Sequence, residues 1–180
     1  MRVLIVYGTT EGQTRKIAER IAERIREVGY DAQLQDSSAI PDNIQIEEFA
    51  AIIVAASVHQ HVHQEAVTAY AMAHRDQLNA KFTGFVSVSL SAALERDHLQ
   101  AQTYVDRFVV ETGWRPNRTL IMPGALRNTS YDYFKQQIVK YIVMRGGGPG
   151  DTEHDYEFTD WEALSKFVDS FVEMVNVGAG

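Results

Sequence analysis

The sequence predicts an α/β fold in which a parallel sheet is covered on both faces by helices. Short, unbroken apolar runs, such as 3–6 and 49–56, are typical of strands buried on both faces. Helical patterns alternate with these runs, and this alternation indicates right-handed crossovers between parallel strands. The 180 residues, of which 45% are hydrophobic, suffice for one well-packed domain, residues 1–180.

The first strand leads through a short loop into a helix. The loop residues carry hydroxyls or lack a side chain: Gly8, Thr9, Thr10 and Gly12. From Gln13 the apolar residues have helical spacing: Ile17, Ile21, Ile25 and Val28. Gly29 then ends the helix in the usual C-terminal manner. The chain therefore begins as strand, tight loop and helix.

This loop predicts a phosphate-binding site. Backbone N–H groups at a helix N-terminus lack intrahelical partners, and the helix dipole favours an anion there. Thr9, Thr10 and Thr14 add hydroxyl donors, and Gly12 permits a close backbone approach. The alternative is that the threonines only cap an ordinary helix. The loop has neither the Gly-Lys-Ser/Thr ending of a nucleotide P-loop nor a G-x-G-x-x-G fingerprint.

Strands and helices continue to alternate along the rest of the sequence. Strands are predicted at 30–35 (an edge strand), 49–56, 82–90 and 119–122, and helices at 64–78, 99–112 and after a capping box at 159–162. Five parallel strands fit the order 2-1-3-4-5, which binds ligands at the carboxyl ends of the strands. The loops that begin at Thr9, Ser57 and Ser87 should therefore converge on one site.

Residues 125–158 form a long insert before the last helix, and loops of this length are usually functional or disordered. Residues 131–145 combine helical apolar spacing with Lys135, Lys140 and Arg145, which suits a helix at a membrane interface.

Composition excludes several classes of site. The absence of cysteine excludes disulfides, thiolate nucleophiles and iron–sulfur clusters. A net charge of −7 argues against a nucleic-acid surface. Neither a signal peptide nor an apolar run long enough to span a bilayer is visible. We therefore expect a cytoplasmic protein, with peripheral attachment to the inner face of the cell membrane as an alternative.

Two sets of motifs resemble known families. The pattern Thr9-x-x-Gly12-x-Thr14 after an N-terminal strand resembles the FMN phosphate loop of flavodoxins. Further blocks resemble the menaquinone-dependent protoporphyrinogen oxidases, which are flavodoxin-like enzymes of haem biosynthesis: Ala56-Ser-Val58, Ser87-Val-Ser-Leu90, Trp114-Arg-Pro-Asn-Arg118, Pro123-Gly-Ala-Leu-Arg127 and Tyr156-Glu-Phe-Thr-Asp-Trp-Glu162. This resemblance covers nearly the whole chain.

The resemblance implies FMN as the cofactor and three loops that bind it. The phosphate loop would comprise Thr9, Thr10, Glu11, Gly12, Gln13 and Thr14. The flavin ring would lie between Ser57, Val58 and His59 on one side and Ser87, Val88, Ser89, Leu90 and Ala92 on the other.

Arg127 and His59 are the candidate catalytic residues, although neither role is assigned. A guanidinium can bind a substrate carboxylate bidentately, but Arg127 could equally pin the insert through a salt bridge. His59, His61 and His63 alternate, yet no further ligand follows at metal-binding spacing, so no metal site is predicted. The simpler alternative is that all three histidines are solvated side chains of a loop and take no part in catalysis. Several aromatic residues could cover the flavin or only bury the insert: Tyr131, Tyr133, Phe134 and Tyr141.

The activity that the resemblance implies is dehydrogenation of protoporphyrinogen IX, with a quinone as electron acceptor. The partners would be a porphyrinogen or another small molecule and a quinone, without nucleic acid. A soluble flavin quinone reductase and a flavodoxin-type electron carrier remain alternatives. The sequence does not predict an oligomeric state.

Overall fold

The computed structural model describes residues 1–39, 44–93, 97–126 and 156–178. The strands are β1 (Arg2–Gly8), β2 (Asp31–Asp36), β3 (Ala51–His59), β4 (Val62–His63), β5 (Phe82–Val88), β6 (Arg118–Met122), β7 (Ala125–Leu126) and β8 (Tyr156–Glu157). The helices are α1 (Gln13–Glu27), α2 (Glu65–Ala73), α3 (Arg75–Asn79), α4 (His98–Thr112) and α5 (Trp161–Gly178). Ile46–Glu48 and Leu90–Ala93 form short 3-10 turns.

The central sheet confirms the predicted fold class. Its parallel strands lie in the order β2-β1-β3-β5-β6, which is the predicted 2-1-3-4-5 order. Two small antiparallel pairs were not predicted. β4 folds back on β3, and β7 pairs with β8 as a separate ribbon. Strands of two residues carry too little apolar pattern to be recognised from sequence.

Alternate residues of the central strands pack against two helical layers. Val3 and Ile5 belong to the core beneath α1 and α5. Leu4 and Val6 belong to the opposite core, beneath α2 and α4. Because successive side chains in a strand point to opposite faces, a continuous apolar run is needed to fill both cores. The sheet is therefore the middle of three layers, and its strand ends are free to form a site.

Helix boundaries differ from the prediction in two places. The helix predicted at 64–78 is two helices, since the backbone leaves helical geometry at His74 (φ −109°, ψ 18°) and α3 then buries Leu78. In α1, Ile17, Ile21 and Ile25 are buried as expected, whereas Val28 is 38% exposed because it follows the last helical residue.

The capping of α5 also differs from the predicted capping box. Asp160, and not Thr159, accepts the hydrogen bond from the Ala163 backbone N–H at 2.9 Å. The Thr159 hydroxyl instead accepts a hydrogen bond from the Gln13 side-chain amide at 2.8 Å. The start of α5 is therefore attached to the start of α1, across most of the sequence.

The described ends of the predicted insert are held together. The β7–β8 ribbon joins them, and Phe158 N–H donates to the Gly124 carbonyl at 3.0 Å. Residues 127–155 lie outside the described part of the chain, and the assignment of residues 1–180 to one domain stays a prediction. Within the described ranges, no helix combines the length and apolar character that crossing a membrane requires.

Candidate flavin site

A cleft lies at the carboxyl ends of the central strands, where the strand order reverses between β1 and β3. It encloses about 500 Å³ when its solvent-open mouth is included. Its lining comes from the carboxyl ends of four strands and the segments that follow them: Thr9, Thr10, Glu11, Gln13 and Thr14; Ser57, Val58 and His59; Val88, Ser89 and Leu90; Gly124 and Ala125. The three loops that the sequence predicts to converge are thus brought together at one edge of the sheet.

The loop after β1 presents unsatisfied donors at the start of α1. Gly12 adopts a left-handed conformation (φ 87°), and its N–H donates to the Thr9 hydroxyl at 2.8 Å. The first intrahelical bond runs from Lys16 N–H to the Gly12 carbonyl. The backbone N–H groups of residues 13–15 therefore precede the helical hydrogen-bond ladder. A loop turned in this way exposes a row of donors to an anion.

Several residues that line the cleft carry a buried polar atom with no hydrogen-bond partner among the described residues. These atoms are Gln13 Oε1, Thr14 Oγ1, Ser57 Oγ and Ser89 Oγ. Leaving a buried hydroxyl unpaired costs about 1–3 kcal/mol, so folded proteins rarely do it. The hydroxyls belong to three separate segments, namely the start of α1, the end of β3 and the residue after β5, and a single polar ligand in the cleft would satisfy them together. The residues present therefore fit a phosphate and a polar ring system.

Three of the predicted binding residues do not line the cleft, namely Gly12, Ser87 and Ala92. Gly12 shapes the loop through its left-handed backbone, while the Ser87 hydroxyl lies in the core, 2.9 Å from His63 Nε2. Gly124 and Ala125 line the cleft but were not predicted as binding residues. The strand break at Pro123-Gly124 was the available signal, because a break at a strand's carboxyl end marks the ligand-binding edge.

The three alternating histidines have three different environments. Gln60 and His61 form the tight turn between β3 and β4, both with positive φ (48° and 67°). His59 lines the cleft. His61 Nδ1 lies 2.8 Å from the Tyr104 hydroxyl. His63 is buried, so the alternative of solvated histidines is wrong for His63, whereas His61 is exposed.

His63 packs against the rings of both Phe85 and Phe108, and burial lowers the pKa of its imidazole to about 4. A neutral imidazole can share a hydrogen bond with the Ser87 hydroxyl. His63 thereby attaches the β3–β4 hairpin to β5, next to the cleft.

The turn predicts a stabilising substitution. A residue other than glycine in the left-handed region is strained, so we expect Gln60→Gly to raise the free energy of unfolding by up to about 1 kcal/mol. Urea unfolding of the variant would measure this change. Gln45→Gly is the matched control, since Gln45 has φ −92° and glycine there should only destabilise. A loss of stability in both variants would contradict the strain at Gln60.

The other candidate residues divide between the cleft and the undescribed segment. Glu11 lines the cleft. Arg127 lies outside the described residues, as do Tyr131, Tyr133, Phe134 and Tyr141. Within the described ranges, no three His, Asp or Glu side chains are grouped as metal ligands would be.

Comparison with known proteins agrees with this geometry. A family model described as a flavodoxin domain matches residues 4–153. Protoporphyrinogen IX dehydrogenase (quinone) from Escherichia coli (strain K12) is 31% identical over 168 residues, which are 93% of this chain and 92% of that protein. The protein of the same name from Leishmania major is 25% identical over 96% of this chain and 75% of its own length.

Solved structures show the same fold. The Streptococcus pneumonia TIGR4 flavodoxin superposes with a TM-score of 0.57 over 97% of this chain and 99% of its own, at 16% identity. Family membership indicates a flavin cofactor and an oxidoreductase. The chain belongs to the flavodoxin-domain family, and over most of its length it is similar to relatives named protoporphyrinogen IX dehydrogenase (quinone).

Proposed function

We propose that the protein is an FMN-dependent dehydrogenase that oxidises protoporphyrinogen IX and passes the electrons to a quinone. The observation that carries the choice of FMN is the set of unpaired buried hydroxyls at the cleft, on Thr14, Ser57 and Ser89. The choice of substrate and acceptor is supported by the names of relatives that align over nearly the whole chain.

The phosphate group of FMN would be held by the loop after β1. The Thr9, Thr10 and Thr14 hydroxyls and the free N–H groups at the start of α1 are its donors. This arrangement needs no cation, since neutral donors and the helix dipole suffice for a phosphate. It therefore agrees with the net charge of −7.

The ring system would lie between the carboxyl end of β3 and the carboxyl end of β5 with the two residues that follow it. Ser57, Val58 and His59 border one side, and Val88, Ser89 and Leu90 border the other. The bound flavin would supply the two-electron redox chemistry, for which amino-acid side chains have no equivalent. The protein's own contribution is to bind the cofactor, orient it and limit the access of water.

The substrate would approach from the side of the β7–β8 ribbon. Gly124 and Ala125 line the cleft there, and residues 127–155 are the chain segment that connects β7 to β8. Arg127 stays the candidate for binding a substrate carboxylate, and His59, which lies in the cleft, is the second candidate. Membrane contact through residues 131–145 stays a prediction.

Anaerobic titration tests this function. We expect the FMN-loaded protein to lose its flavin absorbance when protoporphyrinogen IX is added, and to regain it when a menaquinone analogue follows. Arg127→Ala should bleach only at a higher substrate concentration, because a carboxylate would lose its cation. The absorbance of FMN-loaded protein without substrate serves as the control for photoreduction.

Each alternative predicts a different result. An electron carrier would bind FMN but would not be bleached by the porphyrinogen. A quinone reductase would be bleached by a reduced nicotinamide cofactor instead. Failure of the protein to bind FMN would overturn the whole proposal, including the phosphate site.

A further inference from the structure

Gln64 connects the two segments that border the cleft, although it is not itself part of the cleft lining. Its side-chain Nε2 donates to the Thr9 carbonyl at 3.1 Å, in the loop after β1. Its backbone N–H donates to the Ser57 carbonyl at 3.1 Å, near the carboxyl end of β3. One residue therefore holds a carbonyl group in each of two ligand-binding segments.

The strand end leaves room for this side chain. A Cβ atom on Gly8 would lie 1.9 Å from Gln64 Oε1 and 2.3 Å from Val67 Cγ2. Any residue larger than glycine at position 8 would displace Gln64 from the loop. Gly8 therefore has a packing role in this contact, in addition to its place in a phosphate-loop motif.

An ordinary capping role does not explain the side chain. Gln64 precedes α2, yet its side chain makes no capping hydrogen bond with the helix. The bonds at the start of α2 go to its backbone carbonyl, from Val67 N–H and Thr68 N–H at 3.1 Å. The amide group is thus directed to the loop and not to the helix that Gln64 begins.

The bond to Thr9 restricts the orientation of one peptide unit. In a trans peptide, the carbonyl of Thr9 and the N–H of Thr10 point in opposite directions, and the described chain contains no cis peptide bond. Holding the Thr9 carbonyl on Gln64 turns the Thr10 N–H away from Gln64. Thr10 lies on the cleft and Gln64 does not. The bond therefore fixes the orientation of one peptide unit in a loop that borders the cleft.

We propose that Gln64 is a positioning residue that sets the phosphate loop in its binding conformation, and so sets the preference for a phosphorylated flavin. This inference rests on the proposed function, because it assumes that the cleft binds FMN. It adds a determinant of phosphate recognition that lies on the second loop and not on the phosphate loop itself.

Paired titrations of the apoprotein with FMN and with riboflavin test this role. Riboflavin carries the same ring without the phosphate, so the ratio of the two dissociation constants isolates phosphate recognition. We expect Gln64→Leu to raise the dissociation constant for FMN about tenfold, while that for riboflavin stays unchanged. Flavin fluorescence quenching reports both, without any measurement of activity.

Two further variants control the interpretation. Gln64→Met has nearly the same length, lacks the N–H donor and adds no charge next to the phosphate loop, so it should lower the preference for FMN even if leucine perturbs folding. Thr68→Val removes the hydroxyl that donates to the Gln64 carbonyl at 3.2 Å, without touching Thr9. We expect this control to keep the wild-type ratio.

The possible outcomes separate this inference from the proposed function. If the wild-type protein binds FMN but both Gln64 variants keep its preference for FMN over riboflavin, the positioning role is overturned and the proposed function stands. An equal loss of FMN and riboflavin binding would also overturn it, since that pattern indicates general damage. A wild-type protein that binds no FMN would overturn the proposed function, and this inference with it.

Discussion

Replacing Thr14 with valine is expected to weaken FMN binding about 10- to 100-fold, because a hydrogen bond to a charged group contributes about 1.5–3 kcal/mol. The same change should leave the apoprotein at least as stable as the wild type. Thr14 is 1% exposed, and its hydroxyl has no partner among the described residues. Valine retains the shape and removes a buried polar group that only the ligand would satisfy.

This combination distinguishes a ligand-binding hydroxyl from a structural one. FMN titration by fluorescence and urea unfolding of the apoprotein measure the two effects. Thr103→Val on α4 is the matched control, since the Thr103 hydroxyl donates to the Leu99 carbonyl on the exposed surface and lies away from the cleft. If Thr14→Val destabilised the apoprotein and left FMN affinity unchanged, the hydroxyl would have a structural role and no ligand role.

Lowering the pH from 6.5 towards 4 should decrease the free energy of unfolding, because His63 is buried as a neutral imidazole. Burial lowers the pKa of this imidazole from 6.5 to about 4, so between these values the unfolded chain binds a proton that the folded chain does not. Stability therefore rises with pH across this window, and is lost as pH falls from 6.5 towards 4. The shift corresponds to about 3 kcal/mol at most.

Urea unfolding across this pH window would measure the contribution. His63→Gln cannot titrate but can still donate to the Ser87 hydroxyl. As the pH falls through this window, its free energy of unfolding should therefore decrease by up to about 3 kcal/mol less than that of the wild type. The difference between the two proteins isolates His63 from the carboxylates, which also titrate. Thr103→Val, which removes no titratable group, should keep the wild-type slope. Parallel curves for wild type and His63→Gln would contradict a buried neutral imidazole.

Ser87 and Ser89 illustrate the limit of reasoning from a strand-end motif. Both residues end an apolar strand, and both were predicted to border the flavin. The structure places Ser87 in β5, where its hydroxyl contacts His63, and Ser89 one residue past the strand, where it lines the cleft. Their separate roles depend on where β5 ends, and pairing with β6 decides that.

The architecture followed from local pattern. Runs such as 3–6 must be buried on both faces, and the helical spacing after Gln13 needs one apolar partner layer, so the alternation leaves few arrangements other than a covered parallel sheet. The position of the site followed from the same reasoning, because parallel strands bring all their carboxyl ends to one edge. The phosphate loop was predictable because its donors are adjacent in sequence.

The contacts that join distant segments could be found only in three dimensions. Gln64 reaches Thr9, and Gln13 reaches Thr159, because the fold brings together residues that carry no shared periodicity. The histidines likewise required the structure, since Gln60-His61 lacks the Asn-Gly signature of a tight hairpin. Sequence spacing records which face of an element a side chain occupies, whereas the partner on that face is selected by the packing of the whole chain.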